Sequence, residues 1–208
     1  MNSLENDLRR AVFSVPFLCA AVLQYLILQN GGSESELYRM SVPLVCTFPY
    51  TCAWLSEYNS GFTKLSLPRT TVLSYIFAKY LACIAAGGLS ELLPSVIYTS
   101  VKTDDIFPEN WLLILLCSAF WAGVSALLAA LTGSRYSAYG GSFVLCYFLV
   151  ILHERYWESC FFIDPYEWLV PKSEWFMGKT GIYIMLSGFI IITGLCYAIV
   201  LDRRLENV

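Results

Sequence analysis

Charge is what this sequence has least of: Asp, Glu, Lys and Arg make up 14% of its 208 residues, against about 25% in an ordinary soluble domain. A soluble fold is thereby excluded, because too few polar side chains remain to cover a core of this size. Histidine is nearly missing as well. The single one, His153, has Glu154 and Glu158 beside it, too few dependable ligands at helical spacing for a metal, and no metal is expected. Nor can His153 serve Ser142 of the Gly-Gly-Ser-Phe run as a protease base. On one helix the two stand about 16 Å apart, whereas proton transfer needs roughly 3 Å.

No Cys-x-x-Cys pair occurs among Cys19, Cys46, Cys52, Cys83, Cys117, Cys146, Cys160 and Cys196. All but Cys160 fall in apolar runs, where cysteine behaves as a small hydrophobe. The stretch from Met177 to Gly181 echoes the end of a phosphate-binding loop, but Ser173 stands where that loop requires glycine. No residue is expected to perform catalysis. The first apolar run follows Arg9 and Arg10 yet lacks a small-x-small cleavage site, so a retained helix is expected there rather than a signal peptide.

What the sequence does have is apolar surface in long runs, 57% apolar residues with 16% aromatic. The runs predict membrane spans near 12–29, 40–55, 72–98, 111–131, 141–152 and 178–201, and hence an all-α integral membrane protein with six transmembrane helices. Six spans of about 20 residues consume about 120 residues and leave no room for a nucleotide-binding domain. The second and fifth runs are short and must recruit flanking residues or meet a thinned bilayer. Ahead of the first, residues 2–11 place Leu4, Leu8, Ala11 and Val12 on one helical face, with Asp7, Arg9 and Arg10 elsewhere. That pattern predicts an interfacial helix along the inner membrane surface.

Basic residues decide sidedness. With the N-terminus inside, Arg9, Arg10, Lys64, Arg69, Lys79, Arg135, Arg203 and Arg204 lie on or near the cytoplasmic side, and Arg39, Lys102, Arg155, Lys172 and Lys179 lie outside. Both termini are therefore expected in the cytoplasm. The net charge of −3 argues by itself neither for nor against a nucleic-acid partner, and none is expected.

The stretch from Glu57 to Leu81, joining the second and third spans, is the most informative. Gly61 permits a sharp reversal, and Pro68 favours extended geometry at Leu67 and can open the next helix. Lys79 lies about 10 Å into the third helix, within reach of the inner surface by snorkelling. Glu57, Ser60, Gly61, Leu67, Pro68, Arg69, Tyr75 and Lys79 together resemble, in order, spacing and location, the signature of type-2 ATP-binding-cassette exporter permeases. In that family the element between the second and third helices is a coupling helix docked on a separate cytoplasmic ATPase. The resemblance thus implies ATPase-coupling roles for Glu57, Gly61, Lys64, Pro68 and Arg69. It also implies a second permease subunit, identical or homologous, with ATP and Mg²⁺ bound by the partner ATPase and none by this chain, in a bacterial plasma membrane.

Two further features stand out. Glu91 follows Gly87 and Gly88 and precedes Pro94 in the third run. An intramembrane acid is a functional candidate, here for a substrate path, unless the glycines and proline break the helix and leave it at the interface. Between the fifth and sixth runs, residues 153–176 carry Trp157, Trp168 and Trp175 among other aromatics and several acids, which places the segment in the outer headgroup region against membrane lipid. Outer-leaflet helices at that place are a second likeness to the same family. The resulting expectation is export of a hydrophobic or amphipathic substrate such as a peptide. An ion-coupled secondary transporter and a non-transport scaffold or immunity protein stay open as alternatives.

Overall fold

In a computed structural model the chain is described at residues 3–63, 71–102, 107–157, 160–171, 173, 175 and 177–205, and these hold helices and no strand. The helices are α1 (Ser3–Val12), α2 (Val15–Gly31), α3 (Glu36–Val45), α4 (Ala53–Asn59), α5 (Val72–Lys102), α6 (Trp111–Thr132), α7 (Arg135–Tyr156), α8 (Pro165–Leu169) and α9 (Lys179–Leu205). A short 3-10 turn, Phe161–Ile163, precedes α8. Four of them, α5, α6, α7 and α9, are long and apolar enough to cross a membrane, and the bent pair α1 and α2 makes five if it forms one span. The chain is thus a multi-pass, all-helical protein with at least four such helices.

Local chemistry explains where the helices begin and end. Ser14 interrupts the first run by accepting the Phe17 N–H at 3.2 Å while Pro16 sits in the first turn of α2, a capping arrangement that opens a new helix. The resulting bend between α1 and α2 is 48°. Ser35 caps α3 in the same way, and Gly133, at φ 67°, closes α6 in the left-handed conformation.

The second expected run, 40–55, is not one helix. Residues 46–52 form turns in which Thr47 and Phe48 donate to Leu44 and Val45. Pro49 has no N–H with which to continue a helical ladder. The fifth run extends at both ends into the 22-residue α7. α5 runs unbroken through Pro94 for 31 residues, about 46 Å at 1.5 Å per residue. It exceeds a hydrocarbon core of about 30 Å, so it tilts or projects.

Within lipid, burying apolar surface between helices gains little, and close packing takes over. α5 and α6 form the most extensive helix pair, with α9 against α6 and α1 and α2 along α5. At Gly87 a Cβ would stand 2.5 Å from Ala122 Cβ and 2.9 Å from the Cys46 carbonyl, so glycine is what lets α5 lie against α6. Tyr80 lies against Gly123 and Gly194, and its hydroxyl is 2.7 Å from both the Ile190 carbonyl and Thr193 Oγ1. This interlocks α5, α6 and α9.

The two ends of the bundle differ. One end gathers α4, the close of α6 and the start of α7: Arg204 donates to the Leu131 carbonyl at 2.6 Å and lies over the Trp54 ring, and Arg135 reaches Ser56. The other end holds the turns before α3 and α6, the 3-10 turn and α8, where Lys179 meets Glu109 at 2.8 Å.

Candidate functional site

Lys79 is the centre of a buried ionic cluster near the α4 end of the bundle. Its ammonium lies 2.7 Å from Asp7 Oδ1 of α1, 2.6 Å from Glu57 Oε1 of α4 and 3.1 Å from the Tyr50 hydroxyl in the turn before α4. An ammonium has three N–H donors, and here each has its acceptor. Tyr50 donates to Asp7 Oδ1 at 2.7 Å, and Tyr75, one helical turn before Lys79 on the same face of α5, donates to Glu57 Oε2 at 2.8 Å. The Tyr50 and Tyr75 rings stand 5.4 and 5.5 Å from the ammonium, within cation–π range.

Lys79 is 4% exposed and Asp7 is equally buried. The expected snorkelling of Lys79 is therefore corrected: two carboxylates satisfy the charge inside the chain, and it need not reach the surface. Asp7, expected away from the apolar face of α1, lies on the buried side with Ala11. The sequence carried a signal for this, since residues four apart on a helix share a face. One cation against two carboxylates leaves a formal excess of one negative charge, which Arg10 meets from the exposed side at 4.0 Å from Glu57 Oε1.

Of the residues expected to couple to an ATPase, Glu57 belongs to this cluster. Gly61 takes φ +72°, a conformation that suits glycine, with open space around it, at the end of α4. Lys64, Pro68 and Arg69 lie outside the described residues. The cluster holds ions and hydrogen bonds with no exposed nucleophile, which suits it to clamping three parts of the chain together.

Glu91 is fully buried inside the chain, because α5 does not break at Pro94, and neither carboxyl oxygen has a hydrogen-bond partner. The three outer tryptophans separate. Trp157 is exposed, and Trp175 packs its ring edge-on to Phe161. Trp168, expected at the membrane interface, is a core residue: it stacks on Trp121 at 6.0 Å, meets Phe120 and Phe189, and donates to the Phe162 carbonyl. α8 folds inward because Asp164 caps it, accepting the Tyr166 N–H at 2.9 Å, with Pro165 in its first turn. Burial raises the Asp164 carboxyl above its ordinary value, opposed by the Tyr166 N–H and by His153, whose Nδ1 is 3.9 Å away.

No protein-family model, curated protein or solved structure matches this chain.

Proposed function

We propose that the chain is the membrane-spanning subunit of an ATP-binding-cassette exporter, working beside a second permease subunit and driven by a separate cytoplasmic ATPase that binds ATP and Mg²⁺. The observation that carries the reading is the Asp7–Lys79–Glu57 clamp. Glu57 stands at the head of the 57–70 segment expected to meet the ATPase, and its carboxylate is tied to α5 through Lys79 and Tyr75 and, by way of Lys79, to α1. A push on that segment therefore moves α1 and α5 together. Three residues that carry the likeness to type-2 permeases, Glu57, Tyr75 and Lys79, converge in this one cluster. The chain does no chemistry in this reading. Its exposed and weakly charged helix faces suit a hydrophobic or amphipathic cargo such as a peptide.

The test is to purify the chain with the ATPase encoded beside it. A stable complex is expected, whose ATP hydrolysis falls several-fold on Gly61→Pro, which cannot adopt a positive φ, or on Arg69→Glu. Absence of a complex, or hydrolysis indifferent to both substitutions, would overturn the assignment.

A further inference from the structure

We propose that Glu91 is a proton-binding site served from the acidic end of the bundle. Its carboxyl is 0% exposed and neither oxygen has a partner. A second polar group is stranded in the same way: Gln24 of α2 is 0% exposed, its carbonyl is taken by Ser41 at 3.1 Å, and its amide nitrogen has no partner. Phe17 packs with Ala86, and Gly32 lies beside Tyr98. Gln24 is about 10 Å along α2 from Phe17, and Glu91 about 8 Å along α5 from Ala86, at 1.5 Å per residue, so the two stand at one level of the interface.

The groups facing Glu91 carry no positive charge. α3 and the turn after it contribute Tyr38 and Cys46, the α3 cation Arg39 lying over the Tyr166 ring instead, and α6 contributes Cys117. α2 supplies the neutral Gln24. Of the charges of α1, Asp7 and Arg10 sit at the clamp, and α9 meets α5 through Thr193 and Tyr197 at the level of Tyr80. On α5 itself, Lys79 is about 18 Å away and held by two carboxylates, while Lys102 is about 16 Å away and bonded to the Tyr98 hydroxyl. A carboxylate in this enclosure has no cation to answer it, and its ionised form is strongly disfavoured there. The neutral acid costs far less, and a proton needs no room.

A route leads to it. A cavity of about 140 Å³, lined by Ser33, Glu34, Glu109 and Asn110 at its polar side, reaches Tyr38 and is wide enough for several waters. The Tyr38 hydroxyl lies 3.4 Å from Ser95 Oγ, and Ser95 in turn donates to the Glu91 main-chain carbonyl at 2.8 Å. These two hydroxyls line the way from the cavity to the main chain at Glu91, and water passing them exchanges a proton with the carboxyl, which is held as the neutral acid. Loss of that proton would draw water between α3 and α5 and part them, so the site links the pH of that side to the packing of the bundle. This holds whatever partner drives the chain.

Infrared spectroscopy of the purified chain in lipid vesicles at neutral pH tests the site. The wild type should show a protonated-carboxyl stretch that is lost in Glu91→Gln and kept in Glu34→Gln. Raising the pH should release one more proton per chain from the wild type than from Glu91→Gln. An unchanged band in Glu91→Gln, or an ionised Glu91 at neutral pH, would overturn the proposal. Should Glu91→Gln fail to fold, Glu91→Asp must show the same band at a shifted frequency, and its absence would count equally against the site. Tyr38→Phe should slow exchange of the band in heavy water several-fold, and an unaltered rate would contradict the route.

Discussion

At the scale of single residues, Lys79 decides most. Removing one partner from a buried ion cluster leaves uncompensated charge and costs about 3–5 kcal/mol. Lys79→Met, which leaves the buried Asp7 and the half-buried Glu57 without their shared cation, should therefore sharply lower the thermal unfolding midpoint in detergent. Adding Asp7→Asn and Glu57→Gln should recover much of the loss. A midpoint unmoved by Lys79→Met would show that the clamp does not hold the fold.

Asp164 gives a prediction of the other sign. Because burial raises its folded-state value, the folded chain binds this proton more tightly than the unfolded chain. Its contribution to stability falls as pH rises from the ordinary carboxyl value through the raised one. Asp164→Asn should flatten that acidic dependence in unfolding curves taken across the carboxyl range.

Neither Lys79 nor Glu91 was fully legible in the sequence. The place of Lys79 within the third run was plain, while that of Glu91 hung on whether Gly87, Gly88 and Pro94 break the helix; and whether a long side chain snorkels or pairs depends on an acid 72 positions away in the chain, which no local pattern encodes.

At the scale of elements, apolar length placed α5, α6, α7 and α9 well, because hydropathy over 20 residues is a strong signal. The 40–55 run misled because composition counts apolar residues while Pro49 removes a backbone donor, and only the second fact ends a helix. Pro94 is the converse, a proline carried within α5. Trp168 reads as an interface residue from its neighbours, yet the Asp164-Pro165 cap turns α8 into the core.

The tight approach of α5 to α6 yields an element-scale prediction. Gly87→Val drives a branched side chain into Ala122 and the Cys46 carbonyl, an overpacking worth about 1–3 kcal/mol. Denaturant unfolding should show it, whereas the same substitution at Gly140, with open space around it, should change little.

At the scale of the whole molecule, the chain is a bundle with two unlike ends. Five of the seven described arginines, Arg9, Arg10, Arg135, Arg203 and Arg204, belong to the end that carries α4 and the clamp, while Arg39 and Arg155 lie at the other with Glu34, Glu36, Glu109, Glu154, Asp164 and Glu167. That separation follows the alternation of loops along the sequence and was legible in it. The pairing of α1 with α5 was not, because the ion pair that fixes it joins residues 72 positions apart, Asp7 and Lys79.

The account turns on which side of the membrane the clamp end faces. Asn59 is exposed at the last residue of α4, so Asn59→Cys in a Cys160→Ser background can be probed with a membrane-impermeant maleimide. Labelling in inside-out vesicles with none in intact cells is the predicted result. Labelling in intact cells would put the clamp outside, away from any cytoplasmic ATPase, and contradict the account.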